Sequence, residues 1–187
     1  MILCGEPYNR GMQGGRITIG KNGAVLTKAD VLWVGLSAKP EMEDAKSALA
    51  AETFSGELVA LVEQELPSAL FHRTNFVDFA PLSAGRLRYP SAAEMEACWP
   101  NRELEIRTLC PKLIILLGHL AGKAFAKATR TPPQDFPSDF AYKPFYVEEL
   151  DVFAACVHHP SYIKIYKRKF LPVYCENLKR LVENSLV

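Results

Sequence analysis

Ser37, Phe54, Asn75 and His159 stand in or beside apolar runs, where their side chains could do chemistry. His159 opens a His-Pro-Ser tripeptide after the apolar run 152–157. An imidazole there can hydrogen-bond to negative charge developing on a carbonyl oxygen. Asn75 carries a donor and an acceptor on one amide edge. Phe54 offers a flat face for stacking, and Gly35-Leu36-Ser37 combines close backbone with a hydroxyl. Each also has a plain structural explanation: Gly35 a turn, Phe54 core, Asn75 a cap, one histidine a partner for buried backbone. Together they form a set of tools for gripping a flat, polar heterocycle. Aromatic and basic residues follow His159, and such a mixture can hold a nucleic-acid backbone.

The elements that must position these residues are readable from apolar patterning. Four short runs, 31–34, 74–77, 113–117 and 152–157, are bounded by turn or polar residues and predict buried strands. Helical patterns lie at 53–65, 91–109, 119–128 and 166–185, the second opening with Ser91 and Glu94 at capping-box spacing. Alternation of this kind implies a three-layer α/β/α sandwich around a central, mainly parallel four-stranded sheet. Ligands of such sheets bind outside the carboxyl ends of the strands. That rule gathers Gly35 to Ser37, Asn75 to Pro81, Gly118-His119 and His158 to Ser161 on one rim. The strand pleat turns His158 away from the face that His159 takes. Residues 129–145 contain four prolines and predict a long loop.

The whole chain, 1–187, reads as a single domain with 1–28 as a lead-in segment. Its glycine-rich stretch precedes the first strand and cannot be a phosphate loop. Neither a dinucleotide fingerprint, a Walker A loop nor a G-x-S-x-G elbow is present. No apolar run approaches the ~20 residues of a membrane span, and no signal-peptide core is seen, so a cytoplasmic location and no membrane partner are expected. Cys4, Cys98, Cys110, Cys156 and Cys175 are widely spaced and odd in number, without a C-x-x-C pair. They predict neither a disulfide framework nor a metal site. Net charge is +1, so polyanion binding requires a local patch. Lys164, Lys167, Arg168 and Lys169 form the clearest, and Arg73, Arg86 and Arg88 a looser one; a solvated face is the plain explanation of each.

Five segments in order resemble the uracil-DNA glycosylase superfamily, especially its iron–sulfur thermophilic branch, from about Ala29 to Lys179. ADVLWVGLSAKPEMED resembles the first motif and TFSGELVALV the segment that follows it. TNFVDFAPL resembles the second-strand motif. YPSAAEMEACWPNRELEIRTLCPKLIILLGHLAGKAF is the most specific stretch, and VHHPSYI resembles the histidine motif. The resemblance implies a hydrolase of the N-glycosidic bond that excises uracil or a related deaminated base from DNA during base excision repair, acting as a monomer on an extruded nucleotide. It implies His159 as the catalytic group, Ser37 as a residue that positions water, and Gly35, Leu36, Phe54 and Asn75 as base-binding residues. Ser161, Tyr162, Ile163, Lys164 and Arg168 would contact DNA, with Tyr162 or Ile163 as the wedge.

Two departures from the family pattern qualify that expectation. Only Cys4 and Cys98 match the branch's cluster ligands, with Pro7 and Phe79 at the other places, so no iron–sulfur cluster or other cofactor is expected. Leu36 stands where an acid or asparagine would orient water, leaving Ser37, Glu41, Glu43 or Asp44 as substitutes. A non-catalytic superfamily member that binds DNA or a modified base is the alternative. An unrelated nucleotide- or small-molecule-binding α/β domain, with phosphate at Gly118-His119, ranks third.

Overall fold

The computed structural model describes residues 28–39, 48–51 and 53–186. The lead-in segment up to Thr27, with Cys4, lies outside the described residues, as do Glu41, Glu43 and Asp44. Strand β1 (Val31–Ser37) is the first described element, followed by helix α1 (Phe54–Gln64) and strand β2 (Phe71–Val77). A hairpin of β3 (Leu82–Ser83) and β4 (Arg86–Leu87) leads into α2 (Ala92–Leu109). Strand β5 (Leu113–Leu117), α3 (His119–Ala128), β6 (Phe145–Val147) and β7 (Val152–Val157) come next. The described chain closes with α4 (Pro160–Tyr166) and α5 (Leu171–Leu186).

The central sheet runs β2-β1-β5-β7-β6. The first four strands are parallel, with Gly35 opposite Asn75 and Leu117 opposite Val157. Apolar residues on both faces of β1, β5 and β7 divide by alternation into two cores. Val31, Trp33, Leu113, Ile115, Ala155 and Val157 pack under α1 and α5. Leu32, Val34, Ile114, Leu116, Ala154 and Cys156 pack under α2 and α3. This is the α/β/α sandwich, and the near-continuous apolar runs are what a sheet covered on both faces requires.

Two details differ from the sequence expectation. The sheet has a fifth strand: β6 pairs antiparallel with β7 at the edge. Three residues at the end of a proline-rich loop are too short a run to show periodicity. The closing helix, expected at 166–185, begins only at Leu171, and a separate short helix, α4, ends at Tyr166. Lys167 (φ −133°) interrupts the pattern, and a 3₁₀ turn, Arg168–Phe170, joins α4 to α5. Among the described residues, no helix is long and apolar enough to cross a membrane.

Candidate active site

The carboxyl ends of β1, β2 and β7 open into a pocket of about 180 Å³. Gly35, Leu36, Ser37, Asn75, His159 and Ser161 all line it, so the structure brings together most of the residues singled out by the sequence. The volume is below the ~300–1,000 Å³ of drug-sized ligand sites and suits a single ring rather than a whole nucleotide.

Asn75 and Gly35 are register partners on adjacent strands. A Cβ on Gly35 would stand 2.5 Å from Asn75 Oδ1 and 3.3 Å from Leu49 Cδ2. The missing side chain therefore makes room for the amide itself. The end of β2 is fixed from the other side by Arg102 of α2, which is fully buried. Its guanidinium donates to the Thr74 hydroxyl and to the carboxylates of Asp78 and Glu105. Glu105 in turn meets His72 Nε2 at 3.0 Å. Thr74 and Asp78 flank Asn75 in sequence, so this buried network holds the segment that carries the amide.

His159 is the N-cap of α4, and its Nδ1 accepts from the Ser161 backbone N–H at 3.2 Å. In the neutral ring this leaves the proton on Nε2 as a donor. Burial, and then the charge of Lys39, push its pKa below the ordinary histidine value. Gly118, with φ +94°, lies directly behind: a Cβ there would approach His159 Cβ to 3.1 Å. That backbone conformation and that clearance both demand glycine.

His158 turns the other way, as the pleat predicts. Tyr142 Oη lies 2.7 Å from His158 Nδ1 and accepts from the His158 backbone N–H at 3.3 Å. The buried Tyr174 hydroxyl donates to the His158 carbonyl at 2.6 Å. Phe136, Phe140 and Tyr162 pack around the ring at centroid distances of 4.5, 5.2 and 5.5 Å. This neutral aromatic cage fixes the backbone immediately before the proposed catalytic residue.

Ile163 is not a wedge. It is fully buried in the core under α1 and α5 because α4 turns its third and fourth positions to opposite sides. Tyr162, 39% exposed, lies on the outer side against His158. Phe54 is beside the pocket but not in its lining: it packs against the core, with Lys164 Nζ 4.1 Å from its ring centroid. Lys164 and Arg168 are exposed. The looser basic patch is largely neutralised, since Arg73 pairs with Glu63 and Arg88 with Glu94.

Sequence reasoning missed Ala38, Lys39, Leu49, Thr53, Ser55 and Leu87, which complete the lining. Leu49 has a left-handed backbone (φ +52°) and its carbonyl accepts from Arg73 Nη1 at 2.9 Å. Thr53 caps α1, and Ser55 Oγ lies 3.4 Å from Ser161 Oγ, joining the starts of α1 and α4. Lys39, Thr53 and Ser55 lie within the matching segments but carry no role there, and Thr53, at a helix start, has a readable local signal.

Among the described residues, no group of three or more His, Cys, Asp or Glu side chains is placed to hold a metal. Cys110 is exposed at the end of α2, Cys156 is buried against Gly122, and Cys175 is on α5. Cys98 is buried in the core between α2 and the sheet. Cys4, the other position that matches a cluster ligand of the iron–sulfur branch, lies outside the described residues.

Residues 26–183 match the family model of the Uracil DNA glycosylase superfamily. The chain belongs to that superfamily. The match spans the sheet, both helical layers and every pocket-lining residue. No curated protein matches the chain. Membership supports a glycosylase-like protein with a DNA substrate, and the pocket lies on the sheet rim where such a fold binds its ligand.

Proposed function

We propose that this chain is a DNA N-glycosylase that hydrolyses the bond between uracil, or a related deaminated base, and deoxyribose. The observation that carries the reading is the convergence in one small pocket of Asn75 and of His159, whose Nδ1 accepts from the Ser161 N–H. Asn75 presents the amide edge that a uracil ring would pair with, and His159 Nε2–H is the donor for a base carbonyl.

In this reaction the C1′–N1 bond breaks and its electron pair leaves with the base as an anion. Water then adds to C1′, and the proton that it gives up neutralises the base anion through solvent, leaving free base and an abasic sugar. The chemistry calls for stabilising the anion in a site with little water. His159 does so through Nε2–H, and Lys39 contributes positive charge at the same pocket. Ser37 is the hydroxyl available to position the water. Phe54 would meet the base only after Lys164 swings off its ring. Ser161, Tyr162, Lys164 and Arg168 are the proposed DNA contacts, the cations acting through phosphate neutralisation. The reaction is proposed to need no cofactor and to be run by a monomer.

The test is uracil release from single- and double-stranded oligonucleotides by wild type, His159→Ala and Asn75→Ala. Wild type is expected to release uracil. Each substitution should slow release by about 10²–10³, the usual loss when one donor to a developing anion is removed. No release by wild type sinks the assignment, and full activity in both variants sinks the site.

One observation favours a second reading, a superfamily member that binds without cutting. Among the described residues no carboxylate lines the pocket, and Leu36 follows Gly35. Tight binding to uracil-containing DNA with no base released would select it.

A further inference from the structure

The β3–β4 hairpin is a two-stranded ribbon with a two-residue loop, Ala84 (φ +48°) and Gly85 (φ +75°). Two successive positive φ values match the twist of a tight hairpin. An isolated ribbon this short is not stable alone, and here its base is clamped. The Arg88 backbone N–H donates to the Pro81 carbonyl at 2.9 Å. The Arg88 guanidinium grips Glu94 through two bonds of 2.6 and 2.7 Å. Glu94 is buried and also closes the capping box of α2 with Ser91.

What this clamped ribbon displays is apolar. Leu82 and Leu87 are cross-strand partners and so share one face, yet they are 46% and 48% exposed. Leu87 also lines the pocket mouth. Leucines held in water at the edge of a polar pocket gain nothing for folding. They gain when an apolar surface, such as the face of an unstacked base pair, covers them. Ile163 is buried and unavailable for that purpose.

We infer that Leu87, carried on the β3–β4 hairpin, is the wedge that enters the base stack when a nucleotide is drawn into the pocket. The inference rests on the glycosylase reading and deepens it. Opening a duplex costs unstacking and unpairing, which an inserted apolar side chain offsets. A single strand has little of that cost to offset. Leu87 is therefore a residue that sets duplex competence, while Asn75 and His159 act on any extruded base.

The experiment compares wild type, Leu87→Ala and Leu87→Phe on uracil in single strands and in U·A and U·G duplexes. A 2-aminopurine beside the uracil reports unstacking separately from chemistry. Leu87→Ala is expected to lose about tenfold or more on U·A duplex, less on U·G and least on single strands. It should also lose the 2-aminopurine signal. Leu87→Phe, which keeps the apolar bulk, should retain both. An equal loss on single and double strands would make Leu87 a wall of the pocket and overturn the wedge, and so would no loss at all. If wild type releases no uracil from any substrate, the glycosylase reading fails instead. The fluorescence then decides the wedge alone: no rise with wild-type protein, or an equal rise with Leu87→Ala, ends it.

Discussion

The two working residues of the pocket are held by opposite kinds of physics. On the β2 side, Asn75 is flanked by a buried ionic network of Arg102, Asp78, Glu105, Thr74 and His72. On the β7 side, His159 follows a backbone fixed by neutral groups, the hydroxyls of Tyr142 and Tyr174 and the rings around His158. Glycines complete both sides, Gly35 clearing space for the amide and Gly118 for the imidazole. The difference is one of risk. A buried charge network fails badly when one member is lost, whereas a hydroxyl network fails bond by bond. Charge on the β2 side also stays clear of the pocket, leaving Lys39 as the pocket's described charged side chain.

The largest effect should come from the ionic side. Arg102→Met takes the guanidinium away from the buried carboxylates of Asp78 and Glu105, and removing one partner of a buried ion pair typically costs about 3–5 kcal/mol. In a domain of this size each kcal/mol moves the melting midpoint by about 2–4 °C. Urea and thermal unfolding measure it. A loss below about 1 kcal/mol would show that partners other than Arg102 suffice to hold the end of β2, and the comparison would break.

The aromatic side should give a smaller, graded response. Tyr174→Phe removes the hydroxyl that serves the His158 carbonyl and leaves that acceptor buried, for about 1–3 kcal/mol. Tyr142→Phe removes a longer bond to the His158 N–H and a shorter one to its ring, and should cost no more. Uracil release measured beside urea midpoints separates positioning from stability. The prediction is a fall in the rate constant with little change in KM, because the imidazole is displaced while Asn75 is not. Two tyrosine variants as damaging as Arg102→Met would erase the distinction between the sides.

Much of this was legible in the sequence, and the illegible part has a physical pattern. The strands, the Ser91–Glu94 cap and the rim position of Gly35, Asn75 and His159 follow from periodicity and the carboxyl-end rule. Arg102 was not legible, because a buried arginine looks like a surface one until its partners on another element are known. Leu87 was hidden for another reason, since a two-residue strand has no period to show which face its leucine takes. Ile163 was misread because the start of α4 decides which of two adjacent apolar residues faces inward. Phe54 shows the same limit: its place in the motif fits, while its ring is covered by Lys164 from a different helix.

The smallest effect, and the sharpest test of the contrast, is in the response to acid. Burial, followed by the charge of Lys167 for His158 and of Lys39 for His159, lowers both histidine pKa values below 6.5. The unfolded chain therefore takes up protons before the folded one does. Stability rises with pH wherever the unfolded state binds more protons. The contribution of these neutral histidines is thus complete above pH 6.5 and is lost as pH falls through their folded pKa values. Tyr142 sharpens the effect at His158: a protonated ring turns Nδ1 into a second donor toward the oxygen that already accepts the His158 N–H. The charged clamp of the hairpin answers later. Arg88 and Ser91 hold the Glu94 carboxyl down to about 2, so its contribution persists until pH falls below 4.5 and is lost toward 2. Urea midpoints measured across this range should fall in two stages, the His158 and His159 side first and the Arg88–Glu94 clamp second. The paired variant His158→Gln/His159→Gln should flatten the upper stage and leave the lower one. A single stage confined to pH below 4.5, in wild type and variant alike, would mean that neither histidine is neutralised by its setting.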